Sequence, residues 1–311
     1  MSIGCATPEP AASHKGFGGT PHPRQIHRMI RHHFTVDVEE YFHPTAMGPH
    51  YPMSEWDTLE RRSPAVIGRL LDFLDERGVI GTFFVLGWLA EKEPAMVRAI
   101  ASRGHEIASH GYEHELVGRL GPEGFRASVR RSRAVLRDVS GAEILGYRAP
   151  SFSIVPGLEW AFDVLLEEGY RYDASLFPIS GHPTYGYPGV GPDPYWIERP
   201  AGRLAEFPST TATVLGRTLP ASGGAYFRLL PPVLVHAGLR QAAARGGPGM
   251  FYIHPWELDD WVPEIAAPKL QMIRTFHGRR RTWARMARML ELGGFGRVDQ
   301  WLAEMESGTP D

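Results

Sequence analysis

Two histidines stand four residues apart in Ser109-His110-Gly111-Tyr112-Glu113-His114. If this segment coils into one helical turn, residues four apart share a face. Two neutral imidazoles on one face make a bidentate claw for a borderline metal such as zinc. Such a pair is half a site, because a catalytic metal takes a third protein ligand, an imidazole or a carboxylate, and keeps a position open for water. In a chain with 14 histidines the same spacing also arises by accident on a surface, so the pair is weighed with its neighbours.

Polar groups that could complete the site recur at the ends of predicted strands. Phe34-Thr35-Val36-Asp37-Val38-Glu39 alternates and is rich in β-branched residues, which predicts a strand with an acidic end. Residues two apart on a strand face the same way, so Asp37 and Glu39 can enter one site, one carboxylate as metal ligand and the other free as a base. His105–Ser109 is a strand that delivers the histidine pair. Ile144–Tyr147 leads into Arg148, Tyr170–Tyr172 into Asp173, and Met250–Ile253 into His254. His105 itself reads as a core histidine rather than a ligand.

The elements between these strands are helical. Ser63-Pro64 opens a helix, with serine as N-cap, proline in the first turn and Val66, Leu70, Leu71 and Leu74 as its apolar face; Gly78 ends it. Gly81–Leu86 is a short buried strand. Further helices are expected over Pro94–Arg103, Pro122–Val139, Pro156–Glu168, Pro231–Arg245 and Arg279–Leu292. The arginines of the Pro122–Val139 helix read as a solvated face. A long surface loop is expected over Ser180–Pro200, a hairpin within Arg203–Thr218, and a short strand and turn of helix over Phe295–Leu302. Strand–helix alternation implies parallel strands with outer helices. The expected fold is a distorted (β/α) barrel of about seven parallel strands, with a site where the strands end.

Composition narrows the function classes. A chain of 311 residues with 43% hydrophobic and 22% charged residues is ordinary for a globular protein. A net charge of −2 argues against a dedicated nucleic-acid or anionic-membrane binder. The single cysteine, Cys5, excludes an intramolecular disulfide. No run of about 18 apolar residues predicts a membrane span. The Pro-, Gly- and His-rich stretch 1–31 lacks the apolar core of a signal peptide and is expected to be a disordered tail, which makes a cytoplasmic protein the default expectation. Residues 32–306 are expected to form one domain, with a C-terminal extension from about residue 180.

Taken together, Thr35–Glu40, Ser109–His114, Arg148-Ala149-Pro150, Tyr172-Asp173-Ala174-Ser175 and Ile253–Glu257 resemble, in order, the motifs of the NodB-homology polysaccharide deacetylases, over about Phe34–His254. The chain is especially similar to the branch found in exopolysaccharide loci, which carries a C-terminal extension. That resemblance implies a metal-dependent hydrolase on a distorted barrel that removes N-acetyl groups from a saccharide. It places the base on Asp37 and the metal, a divalent ion such as zinc, on His110, His114 and a carboxylate. The common pattern has two adjacent aspartates, whereas Val38 follows Asp37 here, so the third ligand is Glu39 or Glu40; strand alternation favours Glu39.

The remaining roles follow from the chemistry such a reaction needs. His254 is the candidate acid for the departing amine, and Arg148 would orient Asp37 and balance its charge, or simply pair with it for stability. A backbone N–H at Ser151 would face the oxyanion. Asp173 would orient His254 or border the groove, if it is not a structural cap. Trp256, Tyr226, Tyr195, Trp196, Phe227 and Trp261 would line a glycan groove or pack beneath loops. Two other readings are a cyclic amide or ureide hydrolase on the same scaffold and a non-catalytic glycan-binding protein.

Overall fold

A computed structural model describes Met1 and residues 32–182 and 184–308. Apart from Met1, the tail expected over 1–31 lies outside the described residues. The centre of the molecule is β1 (His32–Val38), a seven-residue strand with every residue buried. It pairs in parallel with β10 (Gly249–Ile253) on one side and β2 (Thr82–Val85) on the other. Beyond β2 the sheet continues in parallel through β3 (Glu106–Ser109), β4 (Gly146–Tyr147), β5 (Tyr172–Asp173) and β7 (Gly202–Glu206). Seven parallel strands therefore follow one path, as the alternating pattern predicts, and β11 (Phe295–Gly296) adds to the start of β1.

The sheet curls but does not close strand to strand. Its far edge is β6 (Tyr195–Arg199), antiparallel to β7. The gap towards β10 is bridged by side chains and loop backbone: Met250 N donates to Thr210 Oγ1 (2.5 Å) and Tyr252 N to the Ser222 carbonyl (3.3 Å). The β6–β7 hairpin corrects the sequence expectation of a structureless loop up to Pro200. The second hairpin, β8 (Thr211–Val214) with β9 (Arg217–Pro220), overlaps the later part of the Arg203–Thr218 stretch and runs past its end. Strands β7, β10 and β11 all come from the C-terminal extension, so the extension completes the same sheet.

Helices pack outside. α1 (Ser63–Asp75) buries Val66, Ile67, Leu70, Leu71 and Leu74, each contributing about 1.5–3 kcal/mol on burial. Ser63 does not cap it. The first free N–H groups are satisfied by Glu40, whose carboxylate accepts from Arg62 N (2.9 Å), Ser63 N (2.9 Å) and Ser63 Oγ (2.6 Å). Short α2 (Gly87–Lys92) leads to α3 (Pro94–Ser102); α4 (Val117–Ser140) is kinked at Gly121, and α5 (Trp160–Glu167) follows. Arg126 and Arg130 of α4 pair with Glu167 and Glu168, and Arg131 with Glu91, the surface role expected of them. The extension supplies α6 (Gly224–Leu229), α7 (Pro232–Ala244), α8 (Lys269–Phe276), α9 (Thr282–Leu290) and α10 (Val298–Ser307). Among the described residues no helix is long and apolar enough to cross a membrane.

Candidate active site

Parallel register aligns the strand ends on one rim. Val38 sits opposite Val85, Val85 opposite Ser109, Ser109 opposite Tyr147, and Tyr147 opposite Asp173. The next residues in each chain segment, Glu39, His110, Arg148 and, from β10, His254, consequently emerge side by side. They open into a cleft of about 680 Å³ whose lining includes Asp37, Glu39, His110, His114, Ser151 and His254. Three of the four non-glycine residues with positive φ among the described residues, His114, Ser151 and Phe152, also line it. Backbone strain of this kind concentrates where side chains must be aimed.

Glu39, His110 and His114 each offer a ligand atom within 4.8 Å of the others, and all three are buried. The two histidines do not share a helical turn. Gly111 (φ 78°) and His114 (φ 59°) bend the segment through left-handed backbone instead, and that bend brings the rings together. His110 Nδ1 donates to the Arg148 carbonyl (2.8 Å), which leaves Nε2 with a free lone pair, the usual state of a ligating histidine. Burial lowers the His110 pKa to about 4, so the ring is neutral. Glu39 is buried, which opposes its charge, but His114 and His254 outweigh burial and hold its carboxyl well below the usual range. Its Oε2 lies 2.8 Å from His114 Nε2 without an aligned hydrogen bond. Two imidazoles and one carboxylate with converging lone pairs fit a divalent metal. Glu40 is excluded from this set because its carboxylate is engaged on α1.

Beside this cluster, Arg148 is fully buried and donates to Asp37 Oδ1 (2.6 Å) and Thr35 Oγ1 (2.8 Å). Asp37 Oδ2 is left towards His254, whose Nε2 is 3.8 Å from it and 3.4 Å from Glu39 Oε1. His254 Nδ1 is 2.7 Å from Glu257 Oε2, and Arg228 donates to the other oxygen of Glu257. Burial opposes charge on His254, but Glu257, Glu39 and Asp37 raise its pKa to about 9. Trp256 stacks on His254 (centroids 4.9 Å) and its Nε1 donates to Glu39 Oε1 (3.0 Å). It therefore braces two site residues and, although almost wholly buried, lines the cleft.

Several predicted groups fall elsewhere. Asp173 does not orient His254. It is fully buried, accepts from Ser175 Oγ (2.5 Å) and faces the buried carboxyl of Glu206, burial raising the pKa of both. Tyr226 stands behind the wall with its hydroxyl 2.8 Å from that of Tyr185, and Tyr185 is the ring that lines the cleft. Phe227 is a core residue, Tyr195 and Trp196 are half-buried against the core, and Trp261 is exposed with its ring against Tyr41 (centroids 4.8 Å). His105 is a core residue whose Nδ1 accepts from Gly81 N (3.0 Å). Sequence reasoning missed Glu257. Its signal was present, since an acidic residue three after His254 can reach back to the His254 backbone N–H, as Glu257 does (3.1 Å). It also missed the α8 wall, where Leu270, Gln271 and Arg274 face the cleft.

Fold and site together describe a curled α/β scaffold carrying a two-histidine, one-carboxylate cluster at the carboxyl ends of its parallel strands. Residues 54–158 match the family model described as Polysaccharide deacetylase, and residues 174–303 match one described as Domain of unknown function (DUF3473). Over residues 54–158, about a third of the chain, the sequence is thus similar to the polysaccharide deacetylases. A peptidoglycan-N-acetylglucosamine deacetylase of Bacillus cereus is 33% identical over 94 residues, 30% of this chain and 34% of that protein. The chain spans about a third of the length of the first curated relatives it matches. A crystal structure from Mycobacterium smegmatis classed as a polysaccharide deacetylase superposes with a TM-score of 0.59 at 23% identity, covering 90% of this chain and 93% of that one. The Puue allantoinase superposes with a TM-score of 0.62 at 17% identity, covering 94% and 96%. At these identities the likeness to the solved structures is one of fold.

Proposed function

We propose that the protein is a metal-dependent amidohydrolase that removes N-acetyl groups from a saccharide. The observation that carries this reading is the convergence of Glu39, His110 and His114 within 4.8 Å, with Asp37 and His254 on either side of the same opening. Glu39, His110 and His114 would hold the metal, with zinc the best match to two imidazoles and one carboxylate. When bound, such a cation supplies charge that polarises an amide carbonyl and acidifies a neighbouring water.

The chain's own groups do the rest. Asp37, fixed through Oδ1 by Arg148, takes the water proton on Oδ2 as oxygen attacks the acetyl carbon. The Ser151 backbone, turned into the cleft wall by its positive φ, is the candidate N–H donor to the oxyanion. The carbon–nitrogen bond then breaks, and His254, protonated and held at Nδ1 by Glu257, gives the Nε2 proton to the leaving amine. Acetate and a free amino sugar result. Phe152, Tyr185 and Leu270 offer apolar surface to a sugar ring.

The test is acetate release from N-acetylglucosamine oligomers, set against ring opening of allantoin, by protein assayed before and after chelation. Acetate release that vanishes on chelation supports the reading. Allantoin opening without acetate release would move the site to the cyclic ureides.

A further inference from the structure

A second cleft of about 480 Å³ lies on the far side of Arg228 from the active site, built wholly by the C-terminal extension. Its charged lining is Arg228, Arg279, Arg280, Arg281 and Arg285, against Asp260 as the one carboxylate among the described lining residues. Arg228 is neutralised by Glu257. Among the described residues the other four arginines form no ion pair, whereas Arg126, Arg130 and Arg131 of α4 have acidic partners.

Two of these guanidinium groups are held by backbone carbonyls. Arg279 donates to the carbonyls of Phe276 (3.0 Å), Trp256 (3.2 Å) and Trp261 (2.6 Å). Arg285 Nη1 donates to the carbonyls of Phe227 (2.6 Å), Arg228 (2.8 Å) and Leu230 (3.1 Å). Carbonyls orient a guanidinium without cancelling its charge. Burial pushes both below the ordinary arginine range, Arg281 adding for Arg285, while for Arg279 the carboxylates of Asp259, Asp260 and Glu257 oppose burial and Arg228 adds to it. Gly278, at φ 84°, lets the turn press against the Arg228 carbonyl, where any Cβ would collide. That close approach brings Arg279, Arg280 and Arg281 into the lining of the cleft, Arg279 buried and the other two exposed.

We infer that this cleft binds a phosphate group, the anion that a cluster of arginines around one opening best matches. Its volume has room for a diphosphate. Exposed Leu229 and Val262 form an apolar rim, the surroundings expected if the phosphate belongs to a lipid headgroup. Arg228, buried and tied to Glu257, lines both clefts and stands between them.

The experiment uses the full chain, with Arg280→Glu/Arg281→Glu as the variant, because both side chains are exposed; Arg281→Gln serves if the double variant does not melt cooperatively. Calorimetric titration at low ionic strength with inorganic pyrophosphate is run beside flotation with phosphatidylcholine vesicles, with and without phosphatidylglycerol. One bound pyrophosphate, weakened about tenfold or more by the variant, supports the site. Variant-sensitive binding to phosphatidylglycerol vesicles assigns the phosphate to a lipid, and pyrophosphate binding without vesicle binding assigns it to a soluble ligand. Binding unchanged in the variant would place pyrophosphate elsewhere, on a metal at the Glu39 cluster for instance, and overturns the proposal. So does the absence of binding to either probe.

Discussion

Replacing Glu257 by glutamine keeps the side chain's shape and removes its charge. In the structure one carboxylate oxygen accepts from His254 Nδ1 (2.7 Å) and from His254 N (3.1 Å), while the other accepts from Arg228. An amide has one acceptor oxygen, and both faces here present donors. Turned to satisfy the charged Arg228, the amide sets its NH2 against His254 Nδ1, so the imidazole must give up that proton and become neutral. His254 then no longer serves as a protonated acid. The loss is bounded by what a general acid contributes, roughly 10²–10⁴-fold in kcat, or about 3–5 kcal/mol of barrier. The pH profile gives the sharper readout. Activity needs protonated His254, so it falls as pH rises through that group's pKa. Glu257 is the foremost of the groups raising this pKa, to about 9, so its removal moves the alkaline limb to lower pH. The assay is acetate release across pH, run well below the melting temperature, because Arg228 is left buried without its counter-charge. A variant with wild-type kcat and an unmoved alkaline limb would refute the reasoning.

Further outcomes follow from the same coordinates. Glu39→Ala should abolish stoichiometric metal binding, whereas Glu40→Ala should keep the metal and lower stability by about 2 kcal/mol, since three donors at the start of α1 lose their acceptor; metal analysis and melting separate the two. Burial, with His32 adding, lowers the pKa of His33 to about 3, and burial lowers that of His105 to about 4. The unfolded chain binds protons at these sites near pH 6.5 and the folded chain does not. Their stability contribution is complete above pH 6.5 and lost as pH falls towards 4 and 3, with a slope of about 1.4 kcal/mol per pH unit for each histidine; His33→Phe should flatten that slope in chemical denaturation. A Cβ at Gly146 would fall within the ring of Tyr172, which is fully buried and bonded to Glu106 (2.8 Å), so Gly146→Ala should cost about 3 kcal/mol in the same measurement.

What the sequence disclosed, it disclosed through local pattern. β1 and β10 are β-branched or aromatic apolar runs, and their polar ends, Asp37, Glu39 and His254, are read directly once the strands are aligned. The hairpin over Tyr195–Glu206 was hidden because half of it lies next to a Pro- and Gly-rich stretch, and its pairing is decided by contact with β5. Glu40 illustrates the same limit. It is one residue from a metal-ligand position, and only the distant start of α1, 23 residues on, shows that its carboxylate is already engaged. Asp173 stood at a strand end like its neighbours but turns into the sheet to meet Glu206, a partner supplied by the extension. The histidine pair met in space by a route the four-residue spacing did not anticipate, a left-handed bend at Gly111 and His114.

Anomalous diffraction from crystals of the protein grown with zinc tests the central claim most directly. The account predicts one strong peak about 2.0–2.2 Å from a Glu39 oxygen and one nitrogen each of His110 and His114, with Asp37 and His254 nearby and uncoordinated. A peak on other residues, or full occupancy that survives Glu39→Ala, would contradict it.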